Sequence, residues 1–438
     1  MRIKYIFLLI TAVILTGCSP IALDIDDLMQ PPSLSDEQAK IMEALKTSLS
    51  TDQIQLKYPR FGNYRSAFVL HDLDADGKNE ALVFYEQSIG STNIARINIL
   101  DNENDEWRSI YDMPGLGTDV EFVEFAHMIN DKKFDILIGW TIGSNAAKTT
   151  LTAYSYDDAK LNKLIDYDYS IYKLIDRKDG MQELIVLSDS LNDPTAKIIK
   201  KRTSKKLGVS STVKLSREAK SYHSAKLGKI DETSSALFID EILFDDSIAT
   251  EVLMLDEPVL RNLMINTDLT KNELFLSTIR PELISCEDIN NDGVLEIPFQ
   301  KLLQGYGDED ELENLYLTTY NSLVDNQLLK KQDAILNQKD GYKIIMPQNW
   351  VNNVTVKVQQ HNGEYSFVVF KNSLSESTSE ILRIRVYSKD DYRDKFELEQ
   401  FKNIAIKGAF EYYAYIPEDV DEKYKITYDD LKSMFVLL

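Results

Sequence analysis

The stretch from Ser66 to Tyr85, SAFVLHDLDADGKNEALVFY, decides the fold. An apolar run enters a tight acidic loop made of Asp72, Asp74, Asp76, Gly77 and Glu80, and a second apolar run, Ala81 to Tyr85, leaves it. Two short apolar runs joined by a polar turn with glycine read as a pair of buried antiparallel strands. The same pattern returns 216 residues later in LISCEDINNDGVLEIPF, which begins at Leu283 and carries Asp288, Asn290, Asp292, Gly293 and Glu296.

Weaker copies lie between these two. Asp131 and Asp135 precede Ile136 to Trp140, Asp179, Gly180 and Glu183 precede Leu184 to Leu187, and Asp231 precedes Ala236 to Ile239. Aligned on Asp76, the column reads Asp76, Asp131, Asp179, Asp231 and Asp292, with spacings of 55, 48, 52 and 61 residues. Each copy is followed by a second strand pair with a polar turn: Ile94–Leu100 with Trp107–Tyr111, Thr149–Tyr156 with Leu161–Tyr167, Ala196–Arg202 with Ser211–Ser216, Thr250–Leu255 with Arg261–Ile265, and Leu315–Tyr320 with Asn326–Lys331. Four strands per repeat of about 50 residues is the signature of a β-propeller blade. A single four-stranded blade cannot bury both faces, so blades pack side by side around an axis and leave only short edges. The expected fold is therefore mainly β, a propeller of about five four-stranded blades. The competing reading is an open β-sandwich with acidic turns.

The acidic loops suit a hard cation. Such ions take oxygen ligands from alternating residues of a tight loop. Asp72, Asp74 and Asp76 have that spacing, Gly77 permits the sharp turn, Lys78 offers a backbone carbonyl and Glu80 closes the set. The second loop offers Asp288, Asn290, Asp292, the Val294 carbonyl and Glu296. An EF-hand is excluded, because its twelfth loop position falls on Val83, inside a strand. These units resemble the FG-GAP/VCBS repeats of integrin-alpha-like propellers over residues 60 to 330. The resemblance implies calcium bound at loop positions 1, 3, 5, 7 and 9 as a structural staple. The bland alternative is an acidic β-turn without metal. The other three loops lack the ligand set, with His127 and Ile129, Ile175 and Arg177, and Leu227 and Lys229 in place of Asp72 and Asp74. Their surviving aspartates are expected to cap turns by accepting backbone N–H bonds.

The N-terminus reads as an export signal. Arg2 and Lys4 precede an apolar run, Tyr5 to Leu15, that is too short to span about 30 Å of hydrocarbon. The run ends in Leu15-Thr16-Gly17-Cys18, which resembles the lipobox of bacterial lipoproteins. That resemblance implies cleavage before Cys18 and lipid on its thiol, with an extracytoplasmic, membrane-anchored product. An ordinary secretory signal or a membrane anchor is the alternative. Residues 18–34, polar and acidic with Pro20, Pro31 and Pro32, read as a flexible tether. A helix should start at Ser35, where Ser35 and Gln38 make a capping box and Ile41, Leu45 and Leu49 share a face.

After Lys331 the periodicity changes. Val354, Val356 and Val358 alternate, and the runs from Tyr365, Ile381 and Phe410 continue an antiparallel sheet with one buried face, before Thr427 caps a closing helix over 428–438. The entry strand Gly341 to Trp350, GYKIIMPQNW, resembles that of PsbP-like α-β-α domains. The expected organisation is a signal peptide (1–17), a tether (18–34), an N-terminal helix and lead-in (35–58), the propeller (59–331) and a small α/β domain (332–438).

Composition narrows the functions. The chain has 438 residues, 49 Lys plus Arg against 71 Asp plus Glu, and a net charge of -22. So acidic a surface disfavours nucleic acid. Two cysteines and four histidines give neither a disulfide framework nor a zinc site. Cys286 aligns with Leu70 and is expected to be a buried thiol. No P-loop, nucleophile elbow, HExxH or dinucleotide fingerprint is present, and Gly115-Leu116-Gly117 lacks the third glycine. Lys200, Lys201 and Arg202 with Lys205 and Lys206 make one basic hairpin, expected to be a solvated turn or a contact for an anionic wall polymer. The expectation is a non-enzymatic binding or scaffold lipoprotein whose partner is an extracellular protein or glycan. The alternatives are a propeller-based polysaccharide lyase or glycosidase, or an accessory envelope lipoprotein contacting a membrane partner.

Overall fold

A computed structural model describes residues 34–51, 53–89, 92–143, 148–188, 193–255, 259–265, 273–307, 314–359, 364–388 and 400–438. The signal segment, Cys18 and most of the tether lie outside them. The chain is mainly β, with three helices among the described residues. No described helix is long and apolar enough to cross a membrane. It divides into two compact units, one of residues 1–124, 140–147 and 156–161, the other of residues 125–139, 148–155 and 162–438.

In the first unit, helix α1 (Asp36–Leu49) starts on the capping box, with the Gln38 N–H on Ser35 Oγ at 3.2 Å and the Ser35 N–H on Gln38 Oε1 at 3.1 Å. Its Ile41 and Leu45 are fully buried against Ala67, Phe68, Val83 and Trp107. The sheet beneath contains β1 (Gln55–Leu56), β2 (Phe68–His71), β3 (Glu80–Ile89), β4 (Thr92–Glu103) and β5 (Glu106–Pro114). Both β1 and β2 pair antiparallel with β3, whose Ala81, Leu82, Val83 and Phe84 are all buried, Ala81 and Val83 in the core that holds Ile41 and Leu45. Gly115 and Gly117 are packing residues: a Cβ on the first would overlap the Trp140 ring, and on the second the Thr141 carbonyl.

Three more four-stranded sheets follow, each in sequence order. They are β6 (Asp119–Ala126), β7 (Asp135–Ile142), β8 (Lys148–Asp157) and β9 (Lys160–Asp168); β10 (Ile171–Asp176), β11 (Gln182–Ser188), β12 (Thr195–Thr203) and β13 (Lys206–Lys214); and β14 (Ala219–Lys229), β15 (Ser235–Leu243), β16 (Ile248–Met254) and β17 (Arg261–Asn262). A short helix, α2 (Glu273–Leu276), precedes a fifth sheet of β18 (Ile297–Leu302), β19 (Tyr316–Val324), β20 (Gln327–Asn337) and β21 (Tyr342–Ile345). In this sheet the strand expected before the acidic loop is reduced to an isolated bridge, Glu287 with Glu296. Within the second unit, facing residues of the third and fourth sheets interdigitate, with Ile185, Leu187 and Ile198 against Leu237, Ile239 and Leu253.

The last sheet runs β22 (Val354–Gln359), β23 (Glu364–Val369), β24 (Glu380–Ser388), β26 (Phe410–Tyr415), β25 (Lys402–Lys407). Sequence reading anticipated four of these five and missed β25. Two departures from expectation stand out here. The boundary expected between residues 331 and 332 falls inside β20, and Ile335, Leu303 and Leu317 pack in one core with Trp350 and Phe367. The closing helix α3 (Tyr428–Met434) stops early, and the chain finishes as β27 (Phe435–Leu437) on β21. Phe435 stacks on Tyr342 with ring centroids 5.3 Å apart, and extended backbone lets Leu437 pair with Tyr342. Thr427 does cap α3, and Trp350 is a core residue whose indole N–H donates to the Tyr424 carbonyl at 3.0 Å.

Candidate functional site

The two acidic loops fold alike although they lie in different units. In the first, Asp72 accepts the N–H groups of Asp76 (3.1 Å) and Gly77 (2.9 Å), Asp74 accepts that of Asp76 (3.1 Å), and Asp76 accepts that of Lys78 (2.8 Å). In the second, Asp288 accepts from Asp292 (3.0 Å) and Gly293 (2.8 Å), Asn290 from Asp292 (3.0 Å), and Asp292 from Val294 (2.9 Å). The closing glutamates reach back equally, Glu80 to the Leu73 N–H at 2.7 Å and Glu296 to that of Ile289 at 3.1 Å. Gly77 and Gly293 sit at φ +90° and +85°, a region in which a Cβ is strained.

The loops differ in their carboxylates. Oxygens of Asp72, Asp74 and Glu80 converge within 4.8 Å of one another. Burial raises the Glu80 carboxyl to about pH 7, and the neighbouring Asp74, Asp101 and Asp72 charges add to it. A buried glutamate facing two aspartates is a site that a divalent cation would relieve, so the donor set fits a hard ion. Asp76, whose oxygen caps the Lys78 N–H, is not in this trio. In the second loop Asn290 donates its amide to Asp292 at 2.9 Å, and among the described residues no such trio forms there. The Glu296 carboxyl is also raised, chiefly by burial, and Ser322 donates to it at 3.1 Å. Val294 contributes a bridge to Lys229.

The other loops lose the ligands, and the Asp131 loop keeps the closing bond. Asp135, at the position of Glu80, accepts the Met128 and Ile129 N–H groups at 3.0 and 2.7 Å. Asp179 accepts from Met181 at 3.1 Å, and Asp231 from Thr233 and Ser234 at 2.8 and 2.7 Å, which holds its carboxyl down at about 2. In the Asp131 loop the cap comes from Asn130 instead, which accepts from Lys132. In the third loop Arg177, standing where Asp74 stands in the first, pairs with the closing Glu183. A guanidinium thus occupies the role that a cation would fill. Consecutive loops are also tied by backbone: Gln182 N–H to the His127 carbonyl at 2.7 Å, and Leu295 N–H to that of Lys229 at 2.9 Å.

A second polar centre was invisible in the sequence. Asp240 and Arg280 form a buried ion pair at 2.7 Å, beside Cys286, whose thiol is buried and raised well above its ordinary value by burial and then by Asp240. On the opposite face of β15 and β16, Glu241 and Glu251 are fully buried, and neither Glu241 oxygen has a hydrogen-bond partner. The available signal was an Asp-Glu pair inside the apolar run SALFIDEIL.

No known protein family's sequence profile matches the chain, and no curated protein matches it. Among solved structures, it is similar to a hypothetical selenium-binding protein from Sulfolobus tokodaii (TM-score 0.29, 11% identity, 47% of this chain and 55% of that one). It is also similar to an exo-β-1,3-galactanase from Clostridium thermocellum (TM-score 0.26, 11% identity, 82% and 80%) and to a GH43 β-1,3-galactosidase (TM-score 0.25, 8% identity, 77% and 75%). The chain spans about half the length of the Sulfolobus protein. Likeness at this level transfers no function.

Proposed function

We propose that this chain is an extracytoplasmic lipoprotein, anchored through Cys18, whose repeated sheets close into a five-bladed propeller of FG-GAP/VCBS type carrying a PsbP-like C-terminal domain, and that it serves as a non-catalytic binding module. The observation that carries this reading is the bond-for-bond identity of two acidic loops 216 residues apart, one of which gathers Asp72, Asp74 and Glu80. Calcium would be held by those three and would supply charge neutralisation and rigidity, with no part in bond making. The loop end of the repeats would then present a fixed surface to a protein or glycan.

Calcium titration tests the staple. An ion that binds only the folded chain stabilises it by about 2.7 kcal/mol at a hundredfold excess over Kd. Calorimetry of the metal-free protein should show binding accompanied by a higher melting temperature. Asp74→Ala should remove the tighter site and leave the protein folded, because Leu82, Val83 and Phe84 carry the packing. Asp131→Ala should change nothing in the titration. Absence of binding heat at millimolar calcium, with an unchanged melting curve, refutes the staple. The anchor has its own test: Cys18→Ala should release the protein from membranes or block its processing, and identical partition and processing of the two forms would refute it.

A further inference from the structure

Charge is distributed unevenly along this acidic chain. Residues 171–229 hold 14 Lys and Arg against 6 Asp and Glu, whereas the remainder holds 35 against 65. That stretch builds the third sheet and the first strand of the fourth. Within the second unit it borders a cleft of about 810 Å³, lined by Arg177, Lys178, Lys200 and Lys201 together with Met128 and Thr233 from the neighbouring loops. The size lies within the range of sites that enclose a ligand.

Each of the three carboxylates at this cleft already has a partner. Glu183 meets Arg177 and, at 3.6 Å, Lys200; Asp176 accepts from Gln182 at 2.8 Å; Asp179 accepts from the Met181 N–H. Lys178 and Lys201 are exposed and have no ion pair among the described residues. The Arg177 Nε–H is buried and has no acceptor. The cleft therefore carries four cationic side chains against three carboxylates. Lys178 and Lys201 present ammonium groups that act as point charges, and the Arg177 fork is turned onto Glu183. A guanidinium fork pairs with carboxylate and phosphate alike, whereas a lysine ammonium binds phosphate as a point charge, which is the mode left open here. A concave cleft admits a strand and not a flat bilayer. The acidic remainder of the chain repels a wide, stiff duplex.

We infer that this cleft binds a linear phosphodiester polymer, one strand at a time, and that the third loop has exchanged cation binding for anion binding by placing Arg177 where a metal ligand stands in the first. The inference specifies the ligand class of the binding module proposed above. It rests on that reading for the extracytoplasmic setting in which such a polymer is met and for the metal loop from which the third loop departs.

The test is fluorescence anisotropy of the full chain with labelled poly(glycerol phosphate). Binding should weaken steeply with added salt. The Lys178→Glu/Lys201→Glu variant should bind at least tenfold more weakly with an unaltered melting curve, and Arg177→Gln should also weaken binding. Asp74→Ala should bind like wild type, so failure of the calcium staple and failure of this site are told apart. Undiminished binding by the double variant would overturn the inference. So would polygalacturonate or anionic vesicles binding as tightly as poly(glycerol phosphate), since each would remove the selectivity that the cleft is argued to have.

Discussion

Arg280→Ala is expected to cost about 3–5 kcal/mol of stability, the range for breaking a buried ion pair from one side. Arg280 is fully buried, and its guanidinium makes four bonds: to Asp240 at 2.7 Å, Thr250 Oγ1 at 3.0 Å, the Thr278 carbonyl at 3.2 Å and the Ile284 carbonyl at 2.7 Å. It thereby ties β15 and β16 to the segment that leads into the fifth sheet, and the Ile248–Arg280 bridge reinforces the link. Truncation leaves the Asp240 carboxylate buried, with Ser224 and Thr250 as neutral donors and the Cys286 thiol at 3.6 Å. A loss of this size is a large share of the roughly 5–15 kcal/mol that holds a typical domain folded. Urea unfolding measures it as a fall in midpoint at constant slope. The double replacement Asp240→Leu/Arg280→Met should recover most of the loss, because a packed apolar pair carries no desolvation penalty. A loss below about 1 kcal/mol in Arg280→Ala would show that water reaches Asp240 and that the pair is not sealed.

The repeat was legible because strand alternation and turn chemistry are local. The predicted strand pairs fall on β4/β5, β8/β9, β12/β13, β16/β17 and β19/β20, although β13 begins at Lys206 and β17 keeps only Arg261 and Asn262, because apolar runs broken by polar turns bury themselves readily as hairpins. Asp72 and Asp74 were legible for the same reason, since a loop that caps itself shows its spacing in the sequence. What escaped depended on pairings that residue type and spacing alone do not reveal. Arg177 looks like any surface arginine until Glu183 is seen across the turn. The Phe435–Leu437 strand looks helical until β21 supplies a partner at Tyr342. β25, reading Lys-Asn-Ile-Ala-Ile-Lys, has too short an apolar alternation to stand out, and pairing with β26 is what fixes it. Asn290 takes the place of Asp74 in the loop's hydrogen bonding, and what its spacing does not reveal is that its amide also donates to Asp292.

Stability should also fall as pH rises from 5 to 8, through Glu241 and Glu251. Register pairs Ile239 with Glu251, and strand alternation puts Glu241 on the same face, so the two carboxyls are diagonal neighbours. Both are fully buried. Glu251 accepts the Ser216 N–H at 2.6 Å and the Asn262 amide at 3.2 Å, but burial prevails and raises its carboxyl to about 8. Glu241 is raised well above the ordinary glutamate value, first by burial and then by the charges of Glu251 and Asp240. In the unfolded chain both titrate near 4.3. Between that value and 8 the folded state binds more protons than the unfolded state, so the slope of stability against pH is negative there. Their contribution is fully present below the unfolded value and is lost as pH passes through the folded one. At about 1.4 kcal/mol per unit, moderated by relaxation around the pair, the fall from pH 5 to 8 is on the order of 3 kcal/mol. Glu241→Gln/Glu251→Gln removes both titrations while keeping an oxygen for the Ser216 N–H. The variant should therefore show a flat profile and exceed wild type at pH 8. Urea midpoints at pH 5, 6.5 and 8 decide it: a flat wild-type profile, or a variant that declines in parallel with wild type, would place the pH response elsewhere and mean that water or a counterion reaches these two carboxyls.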